Sequence, residues 1–207
     1  MKILYLDTSS SFLYAGIVEN DKLINQIQRK LDKDLSTYAL YEIRNLLNQC
    51  NMKPRDIDKI IAVNGPGSFT GIRIGLTIAK TLAWTLNKEI TVISSLEAMA
   101  LSKSDYKYYI PLIDARRGFV YAGIYDESYN QVLKNQYIKL DALLEETKKI
   151  NSSKVFISND KFDFSVENYV PDILKIVNFY KERTSTNPHG IDANYLKLTE
   201  AEENKKQ

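Results

Sequence analysis

Short apolar runs and helical spacings alternate along this chain, and their order predicts its architecture. Ile3-Leu4-Tyr5-Leu6, closing on Asp7, reads as a buried strand; residues 12–19 and 23–30 read as two more, with Asn20-Asp21 as the hairpin turn. The period then changes. Ala39, Ile43, Leu46, Leu47 and Cys50 share one face of a helix over residues 35–50, with Asp34 or Ser36 as cap and Asn51 as a left-handed stop. Ile60-Ile61-Ala62-Val63 is a buried strand and residues 72–86 a long proline-free helix. Residues 91–94 form a strand, and Ser95 opens a short helix through Leu101 with Glu97 in its first turn. The order then starts again with a strand at 108–114 that also ends in an acid, Asp114. Strands at 119–126 and 132–137, a helix at 140–150 with Asp141 near its start, and a strand at 154–158 follow. Residues 162–177 are weakly patterned and receive no element.

Two rounds of one βββαβ unit predict an α/β protein of two lobes, residues 1–104 and 105–190, split where Ser-Lys-Ser-Asp interrupts the apolar pattern. Asp7 and Asp114 then face each other across a cleft. A last segment, 191–207, packs back through its apolar half, and its charged end frays.

Four of the chain's eight glycines fall within Asn64-Gly65-Pro66-Gly67-Ser68-Phe69-Thr70-Gly71-Ile72-Arg73-Ile74-Gly75, between the fourth strand and the long helix. Gly65 and Gly67 flank a proline, and Ser68 or Thr70 can cap the helix. Backbone N–H groups at such a turn suit an anion, whereas glycines there more often serve close packing; both readings stand. No Gly-Lys-Ser/Thr follows, so the loop is not a P-loop, and its spacing does not match the dinucleotide fingerprint.

Charge narrows the choices. Lys and Arg total 28 against 26 Asp and Glu, a balance that argues against a tRNA-binding module in its own right. The single cysteine, Cys50, excludes a disulfide framework and sits in a helical apolar pattern. The single histidine, His189, excludes a histidine-pair metal site within one chain. No apolar run approaches a membrane span, and Met1-Lys2 leads into a strand, not a signal sequence, so a soluble cytoplasmic protein is expected.

The Asp7-Thr8-Ser9 strand end, the loop from Gly65 to Gly75, Ser94-Ser95-Leu96-Glu97-Ala98, Asp114-Ala115-Arg116-Arg117-Gly118 and Tyr195-Leu196-Lys197 together resemble the TsaB family, also called YeaZ. The likeness covers nearly the whole chain. It implies the two-lobed actin-like ATPase fold (ASKHA, ribonuclease H-like) shared with sugar kinases and Hsp70. It implies an accessory subunit that partners TsaD, with TsaE, in placing threonylcarbamoyl on adenosine 37 of tRNAs reading codons that begin with adenine.

In active members of that superfamily, strand-end acids position Mg²⁺ and glycine turns admit nucleotide phosphates. Here Thr8 and Ser9 follow Asp7, while Ala115, Arg116 and Arg117 follow Asp114. The resemblance therefore implies a vestigial nucleotide site at most, at Asp7, Thr8, Ser9, Gly65, Gly67, Ser68 and Asp114. Arg116 and Arg117 either grip an anion or point to solvent. TsaD holds a metal through a histidine pair at helical spacing. The corresponding helix here carries Thr37, Tyr38 and Tyr41, and it opens with Asp34-Leu35-Ser36-Thr37 where many members have a His-Ser-Glu type sequence. The expectation is no catalytic residue, no metal ligand and no intrinsic cofactor, with ATP or ADP and Mg only in the assembled complex.

The long helix adds an independent reason to expect a partner. Gly75, Ala79 and Ala83 form a small-residue stripe with Ile74 and Ile78 beside it, and Arg73, Thr77, Lys80 and Trp84 form a wet edge. Such a helix is covered on two sides by its own chain or by another one. The resemblance implies pairing through the first two helices, with a second copy or with TsaD, tRNA being met only through the complex. The expected contacts are Leu40, Tyr41, Arg44, Ile72, Ile74, Gly75, Ile78, Ala79 and Leu82. A small-molecule kinase of the same superfamily is the alternative, disfavoured by the altered phosphate turns. A metallopeptidase, as relatives labelled glycoproteases suggest, lacks the residues for the usual zinc site.

Overall fold

The computed structural model describes residues 1–197, so the charged end expected to fray, residues 198–207, lies outside the described residues. The first lobe is built from β1 (Lys2–Asp7), β2 (Phe12–Glu19), β3 (Lys22–Lys30), α1 (Leu35–Gln49), β4 (Lys59–Val63), α2 (Phe69–Thr85), β5 (Glu89–Ile93) and α3 (Ser95–Leu101). The second contains β6 (Tyr108–Asp114), β7 (Phe119–Asp126), β8 (Gln131–Lys139), α4 (Leu140–Lys148) and β9 (Lys154–Ile157), after which comes α5 (Ile173–Tyr180). The two sheets run in the orders β3-β2-β1-β4-β5 and β8-β7-β6-β9. In both, the leading strand pairs antiparallel with the next and parallel with the strand after the helix: Tyr5 faces Gly16 and Ile61, and Tyr109 faces Tyr125 and Val155. The repeat of element order is thus a repeat of topology.

Burial follows position in the sheet. The central strands β1 and β4 are apolar along nearly their whole length because both faces are covered, whereas the edge strand β3 alternates half-buried and exposed residues. One face of the first sheet packs against α1 and α2 through Leu4, Leu6, Ile43, Leu46, Ile72, Leu76 and Ala79. The other face shares a single core with α3, α5 and the second sheet, in which Tyr5, Ile61 and Val63 meet Tyr109, Tyr125, Val155, Ile157, Ile173 and Ile176. The lobes are therefore joined by continuous apolar packing. The far face of the second sheet is closed by Leu143 of α4 and by Phe162, Phe164 and Val166.

Several expectations need correction. The weakly patterned stretch contains α5, whose short apolar sequence lies on β1, β2 and β3 of the first sheet and in the core shared with the second. Neither Asp34 nor Ser36 caps α1; the helix is entered from a 3-10 turn at Asp32–Asp34 with no side-chain cap bond. Helix α2 begins at Phe69, earlier than the apolar spacing suggests, because Ser68 Oγ accepts from Gly71 N at 3.2 Å. Asn51 does take the left-handed conformation, with φ 53°.

Candidate functional site

Parallel pairing of β1 with β4 sets the loops that follow them side by side, and the glycines let those loops touch. A Cβ at Gly67 would overlap the Ser9 carbonyl oxygen, one at Gly71 the Thr8 carbonyl oxygen and one at Gly75 the Thr8 hydroxyl. Hydrogen bonds close the same contact: Ser68 N donates to Ser9 O at 2.7 Å and Thr8 Oγ1 to Gly71 O at 2.8 Å. On its other side the loop is held by α3, where Ser95 N donates to Gly65 O at 3.0 Å and Ser95 Oγ to Pro66 O at 2.5 Å. Ser94 and Glu97 form a capping box at the start of that helix, and Asn135 Nδ2 of β8 donates to Ser94 Oγ at 3.2 Å. Gly65, Gly67 and Ser68 thus sit in a close-packed corner, and the Ser68 amide is spent within the chain.

Asp7 is buried under this corner. Its Oδ1 accepts from Ser9 N at 2.8 Å and Ser9 Oγ at 2.7 Å, and its Oδ2 accepts from the Tyr169 hydroxyl at 3.0 Å. Burial pushes the Asp7 pKa above the usual carboxylate range, and the Ser9 and Tyr169 hydrogen bonds pull against that rise. Tyr169 is itself fixed from several sides. Its N donates to Asn159 Oδ1 at 3.0 Å, its carbonyl accepts from Tyr14 OH at 3.4 Å, and its hydroxyl lies 3.4 Å from that of Tyr5. Burial raises the Tyr5 and Tyr169 pKa values well above the phenol range, so both hydroxyls stay protonated.

A cleft of about 650 Å³ lies between the lobes, lined from the first by Ser9, Ser10, Ser11, Lys30, Ser68 and Phe69 and from the second by Asp114, Arg116, Tyr121, Asn159, Asp160 and Tyr169. Asp114 therefore borders the cleft, while the Asp7 carboxylate lies behind Ser9 and Tyr169. Asp114 is locked into its own turn: its Oδ1 accepts from Arg116 N at 2.8 Å, and its N donates to Asp160 Oδ2 at 2.8 Å. Burial, and then the neighbouring Asp114 charge, raises the Asp160 pKa. Arg116 and Arg117 take left-handed φ of 67° and 56° at the head of the β6–β7 hairpin; Arg116 lines the cleft and Arg117 is exposed. Sequence reasoning missed Asn159, Asp160 and Tyr169. A second strand-end acid after β9 was the available signal for Asp160, while nothing in the weak pattern around Tyr169 marked it.

The family model described as "TsaD: tRNA N6-adenosine threonylcarbamoyltransferase" matches residues 28–180. The Bacillus subtilis (strain 168) protein named tRNA threonylcarbamoyladenosine biosynthesis protein TsaB is 35% identical over 221 residues, covering 98% of this chain and 96% of that protein. The chain belongs to the TsaB family. Solved structures agree on the fold. YeaZ from Pseudomonas aeruginosa superposes with a TM-score of 0.74 at 19% identity, covering 94% of this chain and 99% of that one. A second, a crystal structure of a protein with similarity to the peptidase YeaZ from that organism, has a TM-score of 0.77 at 18% identity over 95% and 99% of the two chains. The fold is the two-lobed actin-like α/β architecture of this family.

In this TsaB chain the residues expected at a partner surface divide into two groups. Ile72, Gly75 and Ala79 are buried against the first sheet and the Thr8 side chain, so the small-residue stripe is filled by the chain itself and these three are withdrawn as contacts. Ile74, Ile78 and Leu82 form a half-buried line one step around α2, and Leu40, Tyr41 and Arg44 stand exposed on α1. Leu40 and Tyr41 are 59% and 50% exposed. Tyr38 on α1 is exposed as well, while the exposed Phe69 and Trp84 lie on another side of α2, with their rings against Tyr195 and His189. Among the described residues of this TsaB chain, no group of three or more His, Cys, Asp or Glu could hold a metal ion, and no helix is long and apolar enough to cross a membrane.

Proposed function

We propose that this chain is a non-catalytic subunit of tRNA threonylcarbamoyladenosine biosynthesis that supports a TsaD partner through the exposed sides of α1 and α2. The observation that carries the reading is the corner of the cleft where a phosphate-handling relative would work. The strand-end carboxylate of Asp7 already accepts three hydrogen bonds from its own chain, and Thr8 and Ser9 fill the space the glycines leave open. The family supplies the pathway: a relative matched across nearly the full chain carries the name tRNA threonylcarbamoyladenosine biosynthesis protein TsaB. Leu40, Tyr41, Arg44, Ile74, Ile78 and Leu82 supply a surface of apolar centre and charged rim. A second copy uses the same surface when TsaD is absent. TsaE and tRNA join the assembled complex, ATP or ADP with Mg belongs to that assembly, and the work is cytoplasmic.

The test is reconstitution of tRNA modification from purified components with this chain omitted or added back, beside its own ATPase assay and a calorimetric titration with Mg-ATP. The expected result is modification that depends on the chain, with no turnover by the chain alone. Micromolar Mg-ATP binding and phosphoryl transfer by the isolated chain would instead favour the kinase reading.

A further inference from the structure

After α5 the chain turns back along the first lobe by a route fixed through named contacts. The buried Lys59 ammonium donates to the carbonyls of Lys181 at 2.8 Å and Arg183 at 2.7 Å. Thr186 N donates to Ile90 O at 2.8 Å, Lys80 Nζ to Ile191 O at 2.7 Å, and Asn194 N to Asn64 O at 2.7 Å. This return path ends on Tyr195-Leu196-Lys197, a motif of the sequence to which no role has yet been attached, and its three residues reach both lobes. Tyr195 stacks on Phe69 with ring centroids 5.4 Å apart, and its hydroxyl accepts from Arg73 Nε at 2.9 Å. Leu196 packs against the core shared by the two lobes. The Lys197 ammonium lies 5.5 Å from the Tyr137 ring centroid on β8. Phe69 lines the cleft from the first lobe; Tyr121, whose ring sits 5.6 Å from that of Tyr137, lines it from the second.

We propose that Tyr195-Leu196-Lys197 is a clip that sets the width of the cleft and couples it to the docking surface on α2. The coupling half rests on the reading that α1 and α2 bind a TsaD partner. Arg73 is the joint. Its guanidinium is exposed, lies 3.8 Å over the Phe69 ring and bonds the Tyr195 phenol. A partner carboxylate is a stronger acceptor for that guanidinium than a neutral phenol. A partner carboxylate that takes the Nε–Nη edge of Arg73 side-on displaces the Tyr195 hydroxyl from Nε, frees one end of the clip and lets the rims of the cleft move about the core the lobes share, with no contact inside the cleft.

Spin labels on exposed residues of the two sheets report the distance, placed by Gln28→Cys and Lys139→Cys in the full chain carrying Cys50→Ser. Pulsed dipolar measurements are made with and without saturating TsaD. The parent is expected to give one narrow distance that shifts when TsaD is added. Tyr195→Ala with Lys197→Ala broadens the distance in the free chain and abolishes the TsaD-induced shift. Tyr195→Phe keeps the stack but loses the Arg73 bond, and falls between. Identical distributions for parent and double variant would overturn the clip. TsaD binding with no shift in the parent would overturn the coupling while leaving the docking reading intact. Failure of TsaD to bind the parent, read by size-exclusion chromatography, sinks the docking reading and the coupling together, while the free-chain comparison still decides the clip.

Discussion

Replacing Tyr169 with phenylalanine removes one hydroxyl and tests whether Asp7 is an element of the fold and not a reactive group. In the folded chain that hydroxyl donates at 3.0 Å to a carboxylate only 1% exposed, leaving the two Ser9 donors if it is lost. Leaving a buried carboxyl oxygen without its donor costs about 2 kcal/mol, so Tyr169→Phe should lower unfolding stability at pH 7 by about that amount. At ~2–4 °C per kcal/mol for a chain of this size, the Tm falls by about 4–8 °C. The pH dependence fixes the cause. Burial raises the folded pKa of Asp7, so the stability this group contributes is fully present below the unfolded carboxylate pKa and lost as pH rises through the folded value. The Tyr169 hydroxyl opposes that loss by favouring the ionised form. Its removal should therefore cost most at neutral pH and least in acid. Asp7→Asn is the companion: it keeps an oxygen for Ser9, offers an amide to Tyr169 and removes the buried charge, so stability changes by less than about 1 kcal/mol. Modification by the assembled complex persists. Urea unfolding from pH 4 to pH 8 gives both curves. Equal midpoints for Tyr169→Phe and parent at pH 7, or a deficit that grows toward pH 4, would refute the reasoning.

Three further outcomes are expected. Gly71→Ala drives a Cβ into the Thr8 carbonyl oxygen and should cost about 3 kcal/mol, whereas Gly118→Ala, with open space and φ +75°, should cost only ~1 kcal/mol of backbone strain; thermal unfolding distinguishes them. Leu40→Asp, on an exposed position of α1, should leave stability within about 0.5 kcal/mol while abolishing self-association and TsaD binding, and an unchanged elution volume on sizing would mean that the surface lies elsewhere. Lys59→Met removes the donor to the Lys181 and Arg183 carbonyls and should destabilise by about 2 kcal/mol, with faster amide exchange along residues 184–194 than elsewhere as its signature.

The apolar pattern alone determined most of the elements and their order. A run such as Ile60-Ile61-Ala62-Val63 has no polar face to expose, and the spacing of Ala39, Ile43 and Leu46 fits only a helix with one buried side. It also located the glycine loop, because residues that lack a Cβ mark where backbones approach closely. Three matters were decided only by tertiary structure. Periodicity says that a face is covered but not by what, so the small stripe of α2 read equally as core or as interface until Thr8 was found against Gly75. Helix α5 buries Ile173, Ile176, Val177 and Tyr180 at helical spacing, but over only eight residues inside a weakly patterned stretch, and its place on the first sheet depends on the chain returning across the lobes. The bond from Tyr169 to Asp7 joins residues 162 positions apart, and local sequence carries no record of a pairing made only when two folded lobes meet.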